Sequence, residues 1–175
     1  MPVTQGSLTS GSDSSNVSSY TTASVTPTNG RLMLVAVLNT KGSTPDTPTL
    51  SGNGMTWTQQ ATITFNTIAS PLSGATLFRG VGTGTAGAIT IDFGGVNQTG
   101  CAWSVNEFGD VDTATNNGVV QSATNTADSV TALTVTLAAF GSTNNATYRT
   151  KSRQRFTLTA FCTPLYRGQP ESICK

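Results

Sequence analysis

Three carboxylates, Glu107, Asp110 and Asp112, lie close together in the sequence. Glu107 ends a segment of alternating apolar and polar residues, which puts it on the same side as Trp103 and Val105. Clustered carboxylates beside an aromatic side chain are typical of a glycosidase pair or of a calcium site. The residues after Asp112 lack the glycine and the terminal glutamate of a helix-loop-helix calcium loop. We therefore expect a solvated loop at a strand end, with weak cation binding as the alternative.

The histidine and cysteine content further limits the reactions that the chain could catalyse. The chain contains no histidine, which excludes Ser-His-Asp and Cys-His triads and imidazole metal sites. Its three cysteines, Cys101, Cys162 and Cys174, have no metal-knuckle spacing, and we expect reduced thiols in a protein made in the cytoplasm. We therefore predict no catalytic activity, no cofactor-binding residue and no metal site.

Two tryptophans could form a platform on which a sugar ring stacks. Trp103 lies between apolar neighbours of its own strand face, so we expect it in the core, whereas Trp57 has threonine on both sides and stays ambiguous. The expected core neighbours of Trp103 from other strands are Leu34, Ile91 and Val135.

The elements that must position these residues are predicted to be strands. Residues 32–38 form an unbroken apolar run, which is typical of a strand buried on both faces. Residues that alternate with a period of two, or otherwise fit short strands, occur at 17–25, 55–58, 61–65, 75–81, 88–93, 101–108, 119–123, 133–137 and 146–150. Turn signals separate them at Asn53-Gly54, Gly94-Gly95 and Asn117-Gly118. This pattern predicts an all-β fold, either an antiparallel β-sandwich or a barrel.

Charge is scarce and unevenly distributed. Only 10 % of the residues are charged and the net charge is +1, which excludes a helical bundle and an electrostatic nucleic-acid binder. Six of the nine Lys and Arg residues fall within 149–175. We therefore predict a flexible or subunit-bridging arm over 1–19, a β-sandwich over 20–148 and a basic segment over 149–175.

The basic segment opens with four cations that alternate with polar residues: Arg149, Lys151, Arg153 and Arg155. On a strand they would share one face, either as a stripe that meets an acidic partner or nucleic acid, or as a charged edge that blocks further pairing. No stretch of the chain is long and apolar enough to span a membrane, and the N-terminal residues lack a secretory signal.

Residues 21–148 resemble a family of small jelly-roll proteins from the structural gene modules of tailed bacteriophages. The matching segments are residues 24–37, 51–57, 76–80, 87–95, 98–108 and 135–140. The resemblance implies a virion protein with no catalytic residues, either a capsid decoration (cement) protein or a tail-associated protein. It further implies the major capsid protein as partner, a homotrimer, and no membrane or specific nucleic acid.

The resemblance ends near Tyr148, where family members continue with a Gly-rich strand and further strands. Here the chain turns basic, so either this segment or a neighbouring subunit completes the sandwich, or the end is an unrelated reading of the gene. Two other functions stay open: a tail-associated module that binds a carbohydrate or receptor through Trp57, and a β-sandwich glycosidase that uses Glu107 and Asp110.

Overall fold

The structure is a computed structural model that describes residues 3–66, 70–114, 118–127, 132–139, 146–151 and 159–164, with side chains as far as Arg149. These residues contain ten strands and no α-helix. The strands are β1 Thr4–Asp13, β2 Ser19–Thr21, β3 Leu32–Lys41, β4 Thr49–Gly52, β5 Thr56–Phe65, β6 Leu72–Val81, β7 Ile89–Asp92, β8 Gly100–Gly109, β9 Ala146–Lys151 and β10 Thr159–Pro164.

The strands form two facing antiparallel sheets and a separate hairpin. The large sheet has the order β1-β8-β3-β6-β5, the small sheet has the order β2-β7-β4, and β9 pairs with β10. Pairing is nested along the chain, because β1 pairs with β8, β2 with β7 and β3 with β6, around the turn between β4 and β5. The predicted all-β, antiparallel sandwich is confirmed.

The core follows from the alternation of side chains along the two central strands. One face of β3 and β8 contributes Met33, Val35, Val37 and Trp103, which pack against residues of the small sheet such as Ile91. The opposite face of the large sheet carries a second apolar cluster of Leu32, Leu34 and Phe108. The expectation that residues 32–38 are buried on both faces is confirmed.

Later parts of the chain cover that second cluster. Val119 and Tyr148 pack against it, and the Tyr148 ring meets Phe108 edge to face with 5.5 Å between ring centroids. The sandwich therefore has a third, partial layer over the outer face of its large sheet.

The expected core around Trp103 is partly right. Trp103 is buried and shares its cluster with Ile91, as predicted. Leu34 belongs to the other cluster, because it is one residue out of phase with Met33 and Val35 on β3. Val135 is exposed, so its expected place in the core is wrong.

The Asn53-Gly54 turn has the predicted conformation but joins strands of different sheets. Asn53 and Gly54 have φ of 56° and 64°, the positive values that a type I′ turn requires. The flanking strands do not pair with each other, since β4 pairs with β7 and β5 with β6. The buried Asn53 amide donates to the carbonyl oxygens of Thr85 at 2.9 Å and Gly87 at 2.8 Å, which fixes this corner between the sheets.

Two predicted strands are wrong. Residues 119–123 and 133–137 have no strand ladder, although they run beside each other. Side chains replace the ladder: Gln121 exchanges hydrogen bonds of 2.9 and 3.0 Å with the backbone of Ala138, and Asn125 donates to the carbonyl of Thr134 at 2.7 Å. Glutamine and asparagine amides thus satisfy backbone groups that an alternating sequence would otherwise pair in a sheet.

The two expected end segments meet the fold in different ways. Residues 1–19, expected to be an arm, contribute β1, which pairs with β8 of the same chain from Thr4 to Asp13. β9 begins at Ala146, before the predicted boundary at residue 149, and pairs with β10.

Candidate functional site

Glu107 is a buried carboxylate with a complete set of partners. Strand β8 places it in the inward-facing series with Trp103, and its side chain is 8 % exposed. Arg31 Nη1 lies 2.9 Å from Oε1, the Thr28 amide donates to Oε2 at 2.9 Å, and the Thr28 hydroxyl lies 3.1 Å from Oε1. These donors compensate the charge that burial would otherwise penalise. Glu107 therefore ties the loop before β3 to the end of β8.

Asp110 and Asp112 lie in the expected exposed loop after β8, and the alternative, a carboxylate cluster around Glu107, does not form. Asp110 is exposed, with φ of 58°, just after β8 ends, whereas Glu107 faces inwards. Asp112 is also exposed, and its Oδ1 accepts from the Ala114 amide at 2.9 Å, as in an Asx turn. Among the described residues, no group of three or more His, Cys, Asp or Glu side chains could hold a metal ion. A glycosidase needs two carboxylates on opposite sides of one substrate, whereas both oxygens of Glu107 accept hydrogen bonds from the protein itself.

The opposite end of the sandwich contains a polar network centred on Gln98, which is fully buried. Its Oε1 accepts from Asn39 at 2.8 Å, and its Nε2 donates to Asp46 at 3.0 Å. Asp46 also forms an ion pair with Lys41, with 2.6 Å between Nζ and Oδ2. The hydrogen bond from Lys41, followed by that from Gln98, lowers the pKa of Asp46. Sequence reasoning missed this network, because no local pattern marks Gln98 as buried.

Each tryptophan ring packs against a glycine of the neighbouring strand. Trp103 is directly opposite Gly11 of β1, and Trp57 is directly opposite Gly80 of β6. An added Cβ on Gly11 would lie 2.9 Å from the Trp103 ring, and one on Gly80 would lie 2.6 Å from the Trp57 ring. The Trp57 indole also donates to the Gly52 carbonyl at 3.2 Å. Trp57 is partly buried against the core cluster, which leaves only part of its ring for a stacked sugar.

A cavity of about 410 Å³ opens where β1 ends and β8 begins. Asp13, Thr40, Thr99 and Cys101 line it, but their polar groups are largely used within the protein. The Thr40 and Thr99 hydroxyls lie 3.0 Å apart, and Asp13 accepts from the Ser15 amide at 2.7 Å. The cavity has no free catalytic pair.

Cys101, which lines this cavity, has a free, buried thiol. Burial raises its pKa to about 12, so it stays protonated and is a poor nucleophile at neutral pH. Cys101 forms no disulfide with any described residue, and the side chains of Cys162 and Cys174 lie outside the described residues, so the expectation of reduced thiols stays a prediction.

The predicted basic stripe is only partly described. Arg149 lies on β9, with the backbone of Lys151 two residues further along the same strand. Arg153 and Arg155 lie outside the described residues, so the stripe remains a prediction.

The exposed surface of the strands is polar and almost without charge. On β1 and β5 it consists of Thr, Ser and Gln side chains, with Asp13 at the very end of β1. The other exposed carboxylates of the described residues, Asp92, Asp110 and Asp112, lie at strand ends or in loops. Burying such a surface against another protein costs less solvation energy than burying charged side chains, provided that the hydroxyl and amide groups find hydrogen-bond partners in the interface.

Comparisons with protein-family models, with curated proteins and with solved structures each return no match. In the described part of the chain, no helix is long and apolar enough to cross a bilayer.

Proposed function

We propose that the protein is a non-enzymatic structural component of a tailed-bacteriophage particle, and that it decorates the capsid surface by binding the major capsid protein. The resemblance of residues 21–148 to small phage jelly-roll proteins is part of this proposal. The nested pairing of β1–β8, β2–β7 and β3–β6 supports it, because rolling such a paired strip gives the two sheets of a jelly roll, an architecture found in viral capsid domains.

The observation that carries the proposal is the uncharged, hydroxyl-rich surface of the long strands. Thr, Ser and Gln side chains can exchange hydrogen bonds with water for hydrogen bonds across an interface at little net cost. A protein that covers a capsid must bury much of its surface in this way, and it needs no reactive group. The side chains that could have supplied chemistry, Glu107 above all, are occupied in holding the fold together.

Quantitative mass spectrometry of purified phage particles tests the proposal. A copy number comparable with that of the major capsid protein supports capsid decoration. A few copies per particle point instead to a tail-associated role, which the sequence leaves open as a module for a carbohydrate or receptor. Absence of the chain from particles refutes a virion role.

Add-back of purified protein to particles that lack it then locates the contact. Binding through the uncharged strand surfaces persists as the salt concentration rises, because no ion pairs are screened. Binding through the basic segment 149–175 weakens with salt. Deleting residues 1–19 is unsuitable for this test, because it removes β1 and uncovers Trp103.

A further inference from the structure

The outer edge of β1 is a long row of backbone hydrogen-bonding groups with no strand beside it among the described residues. β1 ends the order of the large sheet and pairs on one side only, with β8. The other edges differ. At the β5 edge the Ser122 hydroxyl donates to the Gln60 carbonyl at 2.8 Å, and β2 and β4 have only three and four residues.

β1 also lacks most of the devices that protect an edge strand from pairing. It contains no Lys, Arg or Pro, and its one charged residue, Asp13, stands at its end. A bulge at Leu8 interrupts the ladder with β8 between Ser7 and Thr9, which leaves Thr9–Asp13 as the regular stretch. Thr9 to Asp13 is therefore the part of the edge that is ready to accept another strand.

We propose that this edge pairs with the same edge of a second copy of the chain, antiparallel, about a two-fold axis at Gly11. In that arrangement Ser10 of one copy lies opposite Ser12 of the other, and Thr9 lies opposite Asp13. Small hydroxyl side chains suit close cross-strand pairs, and the two Asp13 carboxylates stand at opposite ends of the contact. Parallel pairing would instead bring the two Asp13 carboxylates together.

The proposed contact is self-complementary and closes at two copies. An isologous contact of this kind gives a dimer, or a larger assembly with an even number of chains. It therefore departs from the homotrimer that the resemblance implies. With a net charge of +1, two copies repel each other only weakly. The inference does not rest on the proposed virion role, since it concerns the isolated chain.

Sedimentation of the full chain between about 1 and 100 µM tests the pairing. We expect reversible dimers of the wild-type chain. A Ser10→Lys, Ser12→Lys variant places like charges opposite each other across the axis and should weaken the dimer at least about tenfold. The matched control is Thr56→Lys, Gln59→Lys, which adds the same charge to exposed positions of β5 that lie opposite Val81 and Phe78, and it should leave dimerisation unchanged.

A charge-swap experiment separates lost pairing from lost folding. A Ser10→Glu, Ser12→Glu variant should also be monomeric, and mixing it with the lysine variant should restore a dimer, because each lysine then faces a glutamate. A wild-type chain that stays monomeric or forms trimers would overturn the inference, and so would equal weakening by the β5 control. Failure of the mixed variants to associate would exclude the Gly11 register.

Discussion

Replacing Gly11 with alanine should destabilise the protein, because the new methyl group collides with the Trp103 ring. The ideal Cβ position on Gly11 lies 2.9 Å from Cζ2, 3.1 Å from Cε2 and 3.2 Å from Nε1 of Trp103. Carbon atoms pack favourably at about 3.5–4.0 Å, so the ring or the strand must move by about half an ångström. Trp103 has little room to move, since it is buried and lies opposite Val37 on β3.

The size of the effect follows from two opposing contributions. Overpacking a well-filled core costs about 1–3 kcal/mol. Reducing the freedom of the unfolded chain by a Gly→Ala change returns about 0.4–1 kcal/mol. We therefore expect Gly11→Ala to lower the free energy of unfolding by about 1.3 kcal/mol, within limits of about 0 and 2.6 kcal/mol.

Gly6→Ala is the matched control on the same strand. Its added Cβ would lie 3.4 Å from Glu107 Cγ, an ordinary contact, so the change should be neutral or slightly stabilising. Urea unfolding followed by far-ultraviolet circular dichroism gives both values without depending on tryptophan fluorescence. Dilute protein keeps any self-association out of the measurement.

A double-mutant cycle identifies the cause of the loss. Trp103→Ala alone should cost about 3–5 kcal/mol, as other large-to-small core changes do. In the Trp103→Ala background, Gly11→Ala should lower the free energy of unfolding no more than Gly6→Ala does, because the indole ring that the added methyl group contacts is absent. Equal effects of Gly11→Ala and Gly6→Ala in the wild-type background would refute the packing of Trp103 over Gly11.

Three further predictions concern ionisable groups. Glu107→Gln should lower the free energy of unfolding, measured in urea, by about 1–3 kcal/mol. Arg31→Ala should lower it less, because the Arg31 side chain is 36 % exposed and its removal leaves the hydrogen bonds from Thr28 to Glu107 in place. Because the pKa of Cys101 is raised in the fold, the thiol ionises above pH 9 in the unfolded chain but not in the folded one. The free energy of unfolding should therefore fall by up to about 1.4 kcal/mol per pH unit above pH 9. In urea titrations at a series of alkaline pH values, Cys101→Ala should show a smaller decrease with pH. Because the pKa of Asp46 is lowered in the fold, its ionised form stabilises the protein above about pH 4, and this contribution is lost as the pH falls further. The difference in free energy of unfolding between wild type and Asp46→Asn should therefore shrink in acid. A difference that is constant with pH would contradict the role of the Lys41 ion pair.

The local features of the fold were predictable because they depend on short-range patterns. The apolar run at 32–38 specifies a strand with two buried faces, and alternation in 101–108 specifies which side chains share a face with Trp103. Asn53-Gly54 has the positive φ values that few other residue pairs adopt without strain. In each case a few neighbouring residues determine the backbone conformation.

Prediction failed where the outcome depends on distant segments. Alternation at 133–137 is as regular as at 61–65, yet only the second becomes a strand, because only it lies beside a ladder partner, β6. Residues 1–19 have the composition of a loose arm, yet Thr4–Asp13 pairs with β8, nearly a hundred positions away. The composition of a segment therefore indicates whether it can form a strand, but it does not indicate which distant strand will pair with it.

The candidate site divides in the same way. The sequence alone established that histidine chemistry is absent, that charge is scarce and that Glu107 ends a strand on the side of Trp103. Only the tertiary structure decided that Arg31 and Thr28 occupy the Glu107 carboxylate, and that Asp110 faces solvent. The physical reason is that the hydrogen-bond donors around a buried carboxylate decide whether its charge is stabilised within the fold or left available for reaction. Here those donors lie 76 and 79 positions away in the sequence, and only folding brings them to Glu107.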